Sequence, residues 1–238
     1  MPTIAIPTND AAAMRTAMNA VWIAVHEYGY ALATMEVTPS NDEALERHLH
    51  VIQEKLGKMV ADDVVVQLLH SEGSDERLAA HAEGIYCPGG ITPYFSLSCI
   101  QPAVSGGQTR VFDAKLAAQF IGREHPGLGA VRIRYGSQSH PGVFATHDLI
   151  EDGALRYRGK VHTNTMLNVD PDEEDAVYLA VNSALERSLL LAHEWRRGDI
   201  LIVDNRVTVH DRMPFQGSRT MLRARYRYAG QKTSGYSL

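Results

Sequence analysis

The first sixty residues carry apolar side chains with the period of a helix. Two segments, 9–28 and 41–60, repeat apolar residues every three or four positions, as amphipathic helices do. Asn9 or Asp10 can cap the first helix, and Gly29 is suited to end it because glycine readily adopts a left-handed conformation. The pattern therefore predicts two helices, each with one buried face.

Beyond about residue 62 the pattern changes to short apolar and β-branched runs, separated by Gly, Pro, Asn and Asp. Such runs are typical of strands joined by turns. Two further helical patches, 114–122 and 172–194, interrupt them. Together with one run between the first two helices, the predicted strands are 30–37, 64–69, 83–86, 94–101, 108–113, 130–135, 155–168, 200–209 and 219–228.

Many short strands with a few outer helices favour a mainly β fold with flanking helices. The architecture that fits best is a double-stranded β-helix, or jelly roll, of antiparallel strands. A chain of 238 residues suits one domain, which we expect to span 1–238.

Composition narrows the possible partners and compartments. The formal net charge of −5 predicts no basic surface for nucleic acid. No run of about 18 apolar residues predicts a membrane span, and the N-terminus lacks the pattern of a signal peptide. Two cysteines, Cys87 and Cys99, are too few for a disulfide scaffold and fit reduced thiols. We expect a cytoplasmic protein that binds neither nucleic acid nor membrane; no oligomeric state is predicted.

A candidate metal site begins at His81-Ala82-Glu83. Residues two apart on a strand face the same side, so this histidine and this carboxylate can bind one metal ion together. The pattern is weak by itself, because a chain with 11 His and 28 acidic residues contains it by chance. A partner is available at His210, which follows a Gly-Asp turn, an apolar strand and the sequence Asp204-Asn205-Arg206. Two His and one carboxylate would leave three positions of an octahedral iron open.

Two further features could bind an anion. Arg219, Arg223 and Arg225 are spaced to face one side of a strand, as either a solvated basic face or a pocket wall for carboxylates. Gly106-Gly107 predicts a hairpin turn, and Thr109 just beyond it could donate a hydrogen bond to an anion.

As an ordered set over residues 81–225, these motifs resemble the taurine dioxygenase and clavaminate synthase superfamily of Fe(II)- and 2-oxoglutarate-dependent oxygenases. The order is His-x-Glu, Gly-Gly-x-Thr, Gly-Asp with a strand into Asp-Asn-Arg and a His, then two Arg four residues apart. The resemblance implies a jelly roll that uses Fe(II), 2-oxoglutarate and O2. It also implies abstraction of hydrogen from an unactivated carbon, giving hydroxylation, desaturation or ring closure with succinate and CO2.

The resemblance also implies roles for individual residues. His81, Glu83 and His210 would bind iron, Thr109 and Arg219 would hold the far carboxylate of 2-oxoglutarate, and Arg223 would bind an acidic group of the substrate. A Glu where many members have Asp is typical of the clavaminate synthase and amino-acid hydroxylase branch. The implied substrate is therefore a small carboxylate-bearing molecule, such as an amino acid or a derivative.

Several alternatives remain open at this point. The chain could be a non-catalytic jelly roll that binds a small acid, although all six motif residues are intact. A zinc hydrolase is less favoured, because the chain lacks the His-Glu-x-x-His motif. Gln67, His70 and Ser71 could line the substrate pocket or could be ordinary polar residues. Residues 136–160 could form a lid over the site or a plain surface loop.

Overall fold

The computed structural model describes residues 3–87, 90–136, 142–159 and 165–228. Within them the helices are α1 (Ala11–Tyr28), α2 (Asp42–Lys58), α3 (Ala114–Glu124) and α4 (Pro171–Arg187), with a 3-10 turn at Pro126–Ala130. The strands are β1 (Ile4–Ile6), β2 (Tyr30–Met35), β3 (Asp63–Ser71), β4 (Leu78–His81), β5 (Tyr94–Gln101), β6 (Ser105–Gly106), β7 (Thr109–Asp113), β8 (Arg132–Gly136), β9 (Phe144–Asp148), β10 (Ile150–Glu151), β11 (Ala154–Leu155), β12 (Thr165–Leu167), β13 (Leu189–His193), β14 (Asp199–Asp204), β15 (Thr208–Arg212), β16 (Phe215–Gln216) and β17 (Arg219–Arg227).

Side-chain caps and a left-handed glycine explain the ends of the first helix. The Asp10 carboxylate accepts hydrogen bonds from the amides of Ala12 and Ala13, at 2.8 and 3.1 Å. Gly29 has a φ of 80° and donates its amide proton to Val25. Both predicted N-terminal helices are confirmed.

Two antiparallel sheets form the jelly roll. The larger sheet has the order β1-β2-β14-β5-β17-β3, in which only the β1–β2 pair is parallel. The smaller sheet has the order β13-β7-β15-β4. Helices α1 and α2 cover the outer face of the larger sheet, while α3, α4 and the small sheet β12-β8-β9 cover the outer face of the smaller one. The expected fold is therefore observed.

Alternation along each strand decides which side chains face the space between the two sheets. Phe95, Val111, Leu201 and Met221 meet there in one apolar cluster. The neighbouring position Leu222 packs instead under the helices on the outer face. Because of this parity, the polar residues at odd positions of β7 and β17 point toward the same interior.

Several sequence predictions about elements are wrong in detail. The strand predicted over 155–168 is two short strands, β11 and β12, and residues 160–164 between them lie outside the described residues. The helical patch predicted over 172–194 ends at Arg187, because the following residues form the edge strand β13, which pairs with β7. The strand predicted over 200–209 is two strands, β14 and β15, separated by a turn. Gly106 and Gly107, both with positive φ, form no hairpin between their neighbouring strands: β6 pairs with β16, whereas β7 pairs with β13 and β15.

The insert between the two halves of the motif set is only partly described. Residues 137–141 and 160 of the suggested lid lie outside the described residues, and 142–159 include β9, β10 and β11. Cys87 and Cys99 are both free thiols. No helix among the described residues has the length and apolarity needed to cross a membrane.

A buried ion cluster fastens the smaller sheet to α4. The side chain of Asp211 is fully buried on the outer face of β15. Its carboxylate accepts hydrogen bonds from Arg77 Nε and Arg110 Nη2, each at 2.7 Å. Arg110 also pairs with Glu186 on α4, at 2.9 Å. Removing the buried acid would leave two guanidinium groups without their shared partner.

We therefore expect Asp211→Ala to lower the free energy of unfolding of the apo-protein by about 3–5 kcal/mol. Glu186→Ala is the matched control, because Glu186 is 48% exposed and its pair should contribute less than about 1 kcal/mol. Urea unfolding of both variants measures the difference. Equal losses in the two variants would contradict a stabilising role for the buried cluster.

Candidate active site

Two of the predicted ligands come from directly paired strands. His81 is the last residue of β4, and His210 lies opposite it on β15. The centroids of the two rings are 4.3 Å apart, and Phe95 lies 4.3 Å from the other side of His210. The structure thus brings together two histidines that are far apart in the sequence, on the inner face of the smaller sheet.

Glu83 reaches the same place from a turn rather than from a strand. The predicted strand 83–86 is a turn, so the strand argument for His81 and Glu83 is wrong in its geometry. The turn is held by the fully buried Asn205. Asn205 accepts the amide proton of Glu83 at 2.8 Å and donates to the carbonyls of Glu83 and Thr92 at 2.9 and 2.7 Å. Asn205 therefore orients the turn that carries Glu83.

The three side chains form a compact donor set. One potential ligand atom from each of His81, Glu83 and His210 lies within 4.8 Å of the others. Glu83 Oε2 is 4.0 Å from His81 Nε2. Glu83 Oε1 faces away, toward Arg225 Nε and Nη2 at 2.7 and 2.6 Å and Arg223 Nη1 at 3.3 Å. The sequence grouped Arg225 with Arg219 and Arg223 as a possible pocket wall but gave it no role of its own.

The electrostatic environment keeps these donors in the forms that bind a metal. Burial lowers the pKa of both His81 and His210, so both imidazoles are neutral at pH 7. Burial alone would raise the pKa of Glu83, but the charges of Arg223 and Arg225 hold it well below its ordinary value. Two neutral imidazoles and one ionised carboxylate suit a divalent transition metal.

Hydrogen bonding also favours a metal at this position. His81 Nδ1 donates to the carbonyl of Ala79 at 2.9 Å, which leaves the lone pair of Nε2 directed toward Glu83. His210 Nδ1 is buried and has no hydrogen-bond partner among the described residues. The residues present thus fit a bound metal ion.

A region with a buried arginine lies beside the donor set of His81, Glu83 and His210. Thr109 is buried and its hydroxyl accepts a hydrogen bond from Trp195 Nε1 at 3.0 Å, leaving its own proton free to donate. Arg219 is also buried, and its Nη1 donates to the carbonyl of Gly107 at 3.2 Å. A cavity of about 230 Å³ borders Arg219 and Trp195. Trp195 therefore links Thr109 to the cavity that Arg219 borders.

Arg212 strengthens the positive charge of this region. Burial and the nearby charge of Arg212 lower the pKa of Arg219 to about 10. The Nε atom of Arg212 is buried without a hydrogen-bond partner, and no described carboxylate lies within 4.0 Å of either arginine. Arg212 lies two residues after His210 on β15, so strand parity could have identified it. A buried arginine next to a partly buried one, with no described acid paired to either, favours an anionic ligand.

Arg223 lies between Glu83 and β3. Its Nη2 donates to Gln67 Oε1 at 2.6 Å, and its Nε is buried without a partner among the described residues. Gln67, one of the residues weighed as a pocket residue, thus contacts a site arginine, whereas His70 is exposed and bonded to Thr220 and Glu72. Since Arg219 and Arg225 are buried and Arg223 nearly so, the interpretation as a solvated basic face is wrong.

Solved structures with the same fold include two iron oxygenases and a taurine dioxygenase. PvcB from Pseudomonas aeruginosa has a TM-score of 0.66 at 17% identity, covering 89% of this chain and 80% of that one. OrfP, a non-heme iron oxygenase solved with Fe and α-ketoglutaric acid, has a TM-score of 0.65 at 16% identity, covering 91% and 81%. A taurine dioxygenase from Burkholderia xenovorans has a TM-score of 0.63 at 14% identity, covering 94% and 87%. These likenesses establish the jelly-roll fold.

A comparison with curated proteins gave no match.

The comparison with protein families extends the resemblance beyond the motifs. The model of the family described as taurine catabolism dioxygenase TauD, TfdA matches residues 4–225. This span includes the two N-terminal helices, which the motifs alone did not reach. The chain belongs to the TauD/TfdA family of dioxygenases.

Proposed function

We propose that the chain, as one domain over 1–238, is an Fe(II)- and 2-oxoglutarate-dependent oxygenase of a small carboxylate-bearing substrate. In this proposal His81, Glu83 and His210 bind the iron, Thr109 and Arg219 bind 2-oxoglutarate, and the reaction is hydroxylation of an unactivated carbon. Desaturation and ring closure are other outcomes of the same hydrogen abstraction. The substrate is an amino acid or a derivative of one.

The observation that carries the proposal is the buried cluster of His81, Glu83 and His210 on paired strands between the sheets. Imidazole and carboxylate donors suit Fe(II), and this set leaves three positions of an octahedral ion open. A zinc hydrolase is disfavoured because its two histidines usually lie on one helix. Family membership and the intact donor set also argue against a non-catalytic protein.

The buried Arg219 and the neighbouring Arg212 support the position proposed for 2-oxoglutarate. Bound iron would activate O2, which is the oxidant, while 2-oxoglutarate would be the cosubstrate that is oxidised to succinate and CO2. The Thr109 hydroxyl and the Arg219 guanidinium hold the far carboxylate, and Arg212 adds positive charge beside them. Trp195 fixes the rotamer of Thr109 through the hydrogen bond to its hydroxyl. These groups bind and orient the cosubstrate.

Arg223 supports a carboxylate on the primary substrate. Gln67 accepts a hydrogen bond from one side of the Arg223 guanidinium. The Nε atom of Arg223, which has no partner among the described residues, can donate to the carboxylate of a substrate. Two proteins of the same fold have amino-acid products bound: OrfP was solved with (3S)-hydroxy-L-Arg, and asparagine oxygenase with 3-hydroxyasparagine. An amino acid is therefore the first class of substrate to test.

The test compares each candidate amino-acid substrate with the analogue that lacks its α-carboxylate. Oxygen-dependent succinate release is the readout. L-Arginine is paired with agmatine, and L-asparagine with 3-aminopropanamide, alongside a wider panel of amino acids and N-acyl derivatives. We expect stimulation by at least one carboxylate-bearing compound and none by its decarboxylated partner. Equal stimulation by both members of a pair, or by no carboxylate, would contradict the proposed substrate class.

Arg223→Gln should then lower kcat/KM for the stimulating substrate about 10- to 100-fold, because charge-assisted hydrogen bonds to the carboxylate are lost. The KM for 2-oxoglutarate should stay within about twofold of the wild-type value, since that ligand is assigned to Arg219. Steady-state kinetics with each ligand varied in turn measures both effects. The opposite pattern would mean that the roles of the two arginines are exchanged.

A further inference from the structure

The carboxylate of Glu83 is held asymmetrically. Both hydrogen bonds from Arg225, from Nε and Nη2, go to the same oxygen, Oε1, at 2.7 and 2.6 Å. Arg223 Nη1 approaches that oxygen as well, at 3.3 Å. The other oxygen, Oε2, faces His81 Nε2 at 4.0 Å. One oxygen is therefore engaged by arginine and the other is directed into the donor set.

This asymmetry matters for the number of open positions on a bound metal. A glutamate can bind a metal through one oxygen or through both. With two histidines, one-oxygen binding leaves three positions of an octahedral ion, whereas two-oxygen binding leaves two. A ketoacid bound through two atoms together with dioxygen needs three. The proposed function, on which this inference rests, therefore requires the one-oxygen mode.

We propose that Arg225 is a positioning residue that keeps Glu83 in the one-oxygen mode by holding Oε1 away from the metal. Arg225 suits this role better than Arg223, because it makes two short bonds to Oε1 and its side chain is only 10% exposed. Arg223 makes one longer contact and is shared with Gln67. Because Arg225 positions Glu83, Arg223 is available to bind the substrate.

The backbone around Arg225 is suited to hold the guanidinium still. Arg225 lies within β17, where it pairs with Val65 of β3 on one side and with Phe95 of β5 on the other. Phe95 in turn packs against the ring of His210 at a centroid distance of 4.3 Å. The same stretch of sheet thus supports two of the three proposed ligands.

The test uses three variants of the full chain, loaded anaerobically with Co(II) or Fe(II). Arg225→Gln removes the double contact, and Arg225→Lys keeps the charge with a shorter, single donor. Arg227→Gln is the matched control, since it removes one buried arginine from the same face of β17, and Arg227 lies beyond 4.0 Å from Glu83. The readouts are metal affinity, the visible Co(II) spectrum, 2-oxoglutarate affinity of the metal-loaded protein, the rate at which the protein loaded with Fe(II) and 2-oxoglutarate reacts with O2, and the melting temperature of the apo-protein.

For Arg225→Gln we expect a Co(II) spectrum of altered coordination. With Glu83 bound through both oxygens, the ketoacid would fill the two remaining positions, so the variant loaded with Fe(II) and 2-oxoglutarate should react with O2 at least about tenfold more slowly than the wild type. The loss of metal affinity should be smaller, because both carboxylate oxygens can then bind. Arg225→Lys should give a partial shift, which keeps the test available if the glutamine variant folds poorly. The control should match the wild type.

An unchanged spectrum with an unchanged rate of reaction with O2 would overturn the role of Arg225. Parallel losses of metal and 2-oxoglutarate affinity would also overturn it, because they would indicate a general structural contribution. Failure of the wild-type protein to bind 2-oxoglutarate at its metal would instead overturn the proposed function.

Discussion

Replacing His81 or His210 with alanine is expected to abolish iron-dependent succinate release while the fold survives. Each histidine supplies one of only three protein donors, and no other described His, Cys, Asp or Glu joins the cluster. The remaining pair cannot hold Fe(II) in the geometry that a chelating cosubstrate requires. Succinate release under saturating iron measures the loss, and far-UV circular dichroism checks the fold.

His50→Ala is the control for the loss of a histidine, since the side chain of His50 on α2 is 45% exposed and contacts Glu54 only at 3.5 Å. It should leave turnover unchanged. Normal succinate production by either the His81 or the His210 variant would show that the metal lies elsewhere. A variant that no longer folds would be replaced by His→Gln at the same position, which fills more of the space.

The second large effect is expected at Arg219. Its guanidinium is buried with no described carboxylate within 4.0 Å, so the far carboxylate of 2-oxoglutarate would be its acidic partner. Truncating one member of a buried charge pair costs about 2–5 kcal/mol. Arg219→Ala should therefore lower the affinity for 2-oxoglutarate by about 30-fold or more, since each 1.4 kcal/mol of binding free energy is a factor of ten in affinity. Anaerobic titration of the iron-loaded variant measures this loss.

Arg132→Ala is the matched control, because Arg132 is 62% exposed and pairs with Asp148 on the surface. It should bind 2-oxoglutarate as the wild type does. Thr109→Val should show a smaller loss than Arg219→Ala, because it removes one neutral hydroxyl donor. Wild-type affinity in Arg219→Ala would place the far carboxylate at another group.

Strand parity explains how much of the site could be predicted. Arg219, Arg223 and Arg225 lie on β17 at inward positions, and a period of two suffices to group them, whereas Thr109 on β7 was found through its motif. The same rule, applied two residues after His210, would have added Arg212. Neither Arg212 nor Arg225 was given a role, because the motifs that carry the resemblance do not include them.

Other features depend on contacts that local sequence does not reveal. Glu83 lies in a turn, yet it faces the histidines because Asn205, 122 positions away, holds its backbone. Leu189 and Leu190 fit the helical pattern, but they belong to β13, which pairs with the side of β7 that does not face β15. Gly106 and Gly107 look like a hairpin turn, and their neighbours instead pair with strands from other parts of the chain. In each case a distant partner outweighs local propensity.

The measurement that tests the account most directly is an anaerobic titration of the apo-protein with Fe(II) and 2-oxoglutarate. We predict that the visible metal-to-ligand charge-transfer band of a chelated ketoacid appears in the wild-type protein. The band should be absent in His210→Ala, and in Arg219→Ala it should appear only at higher 2-oxoglutarate concentration. Iron binding without that band in the wild-type protein would contradict the assignment of Thr109 and Arg219 as the 2-oxoglutarate site.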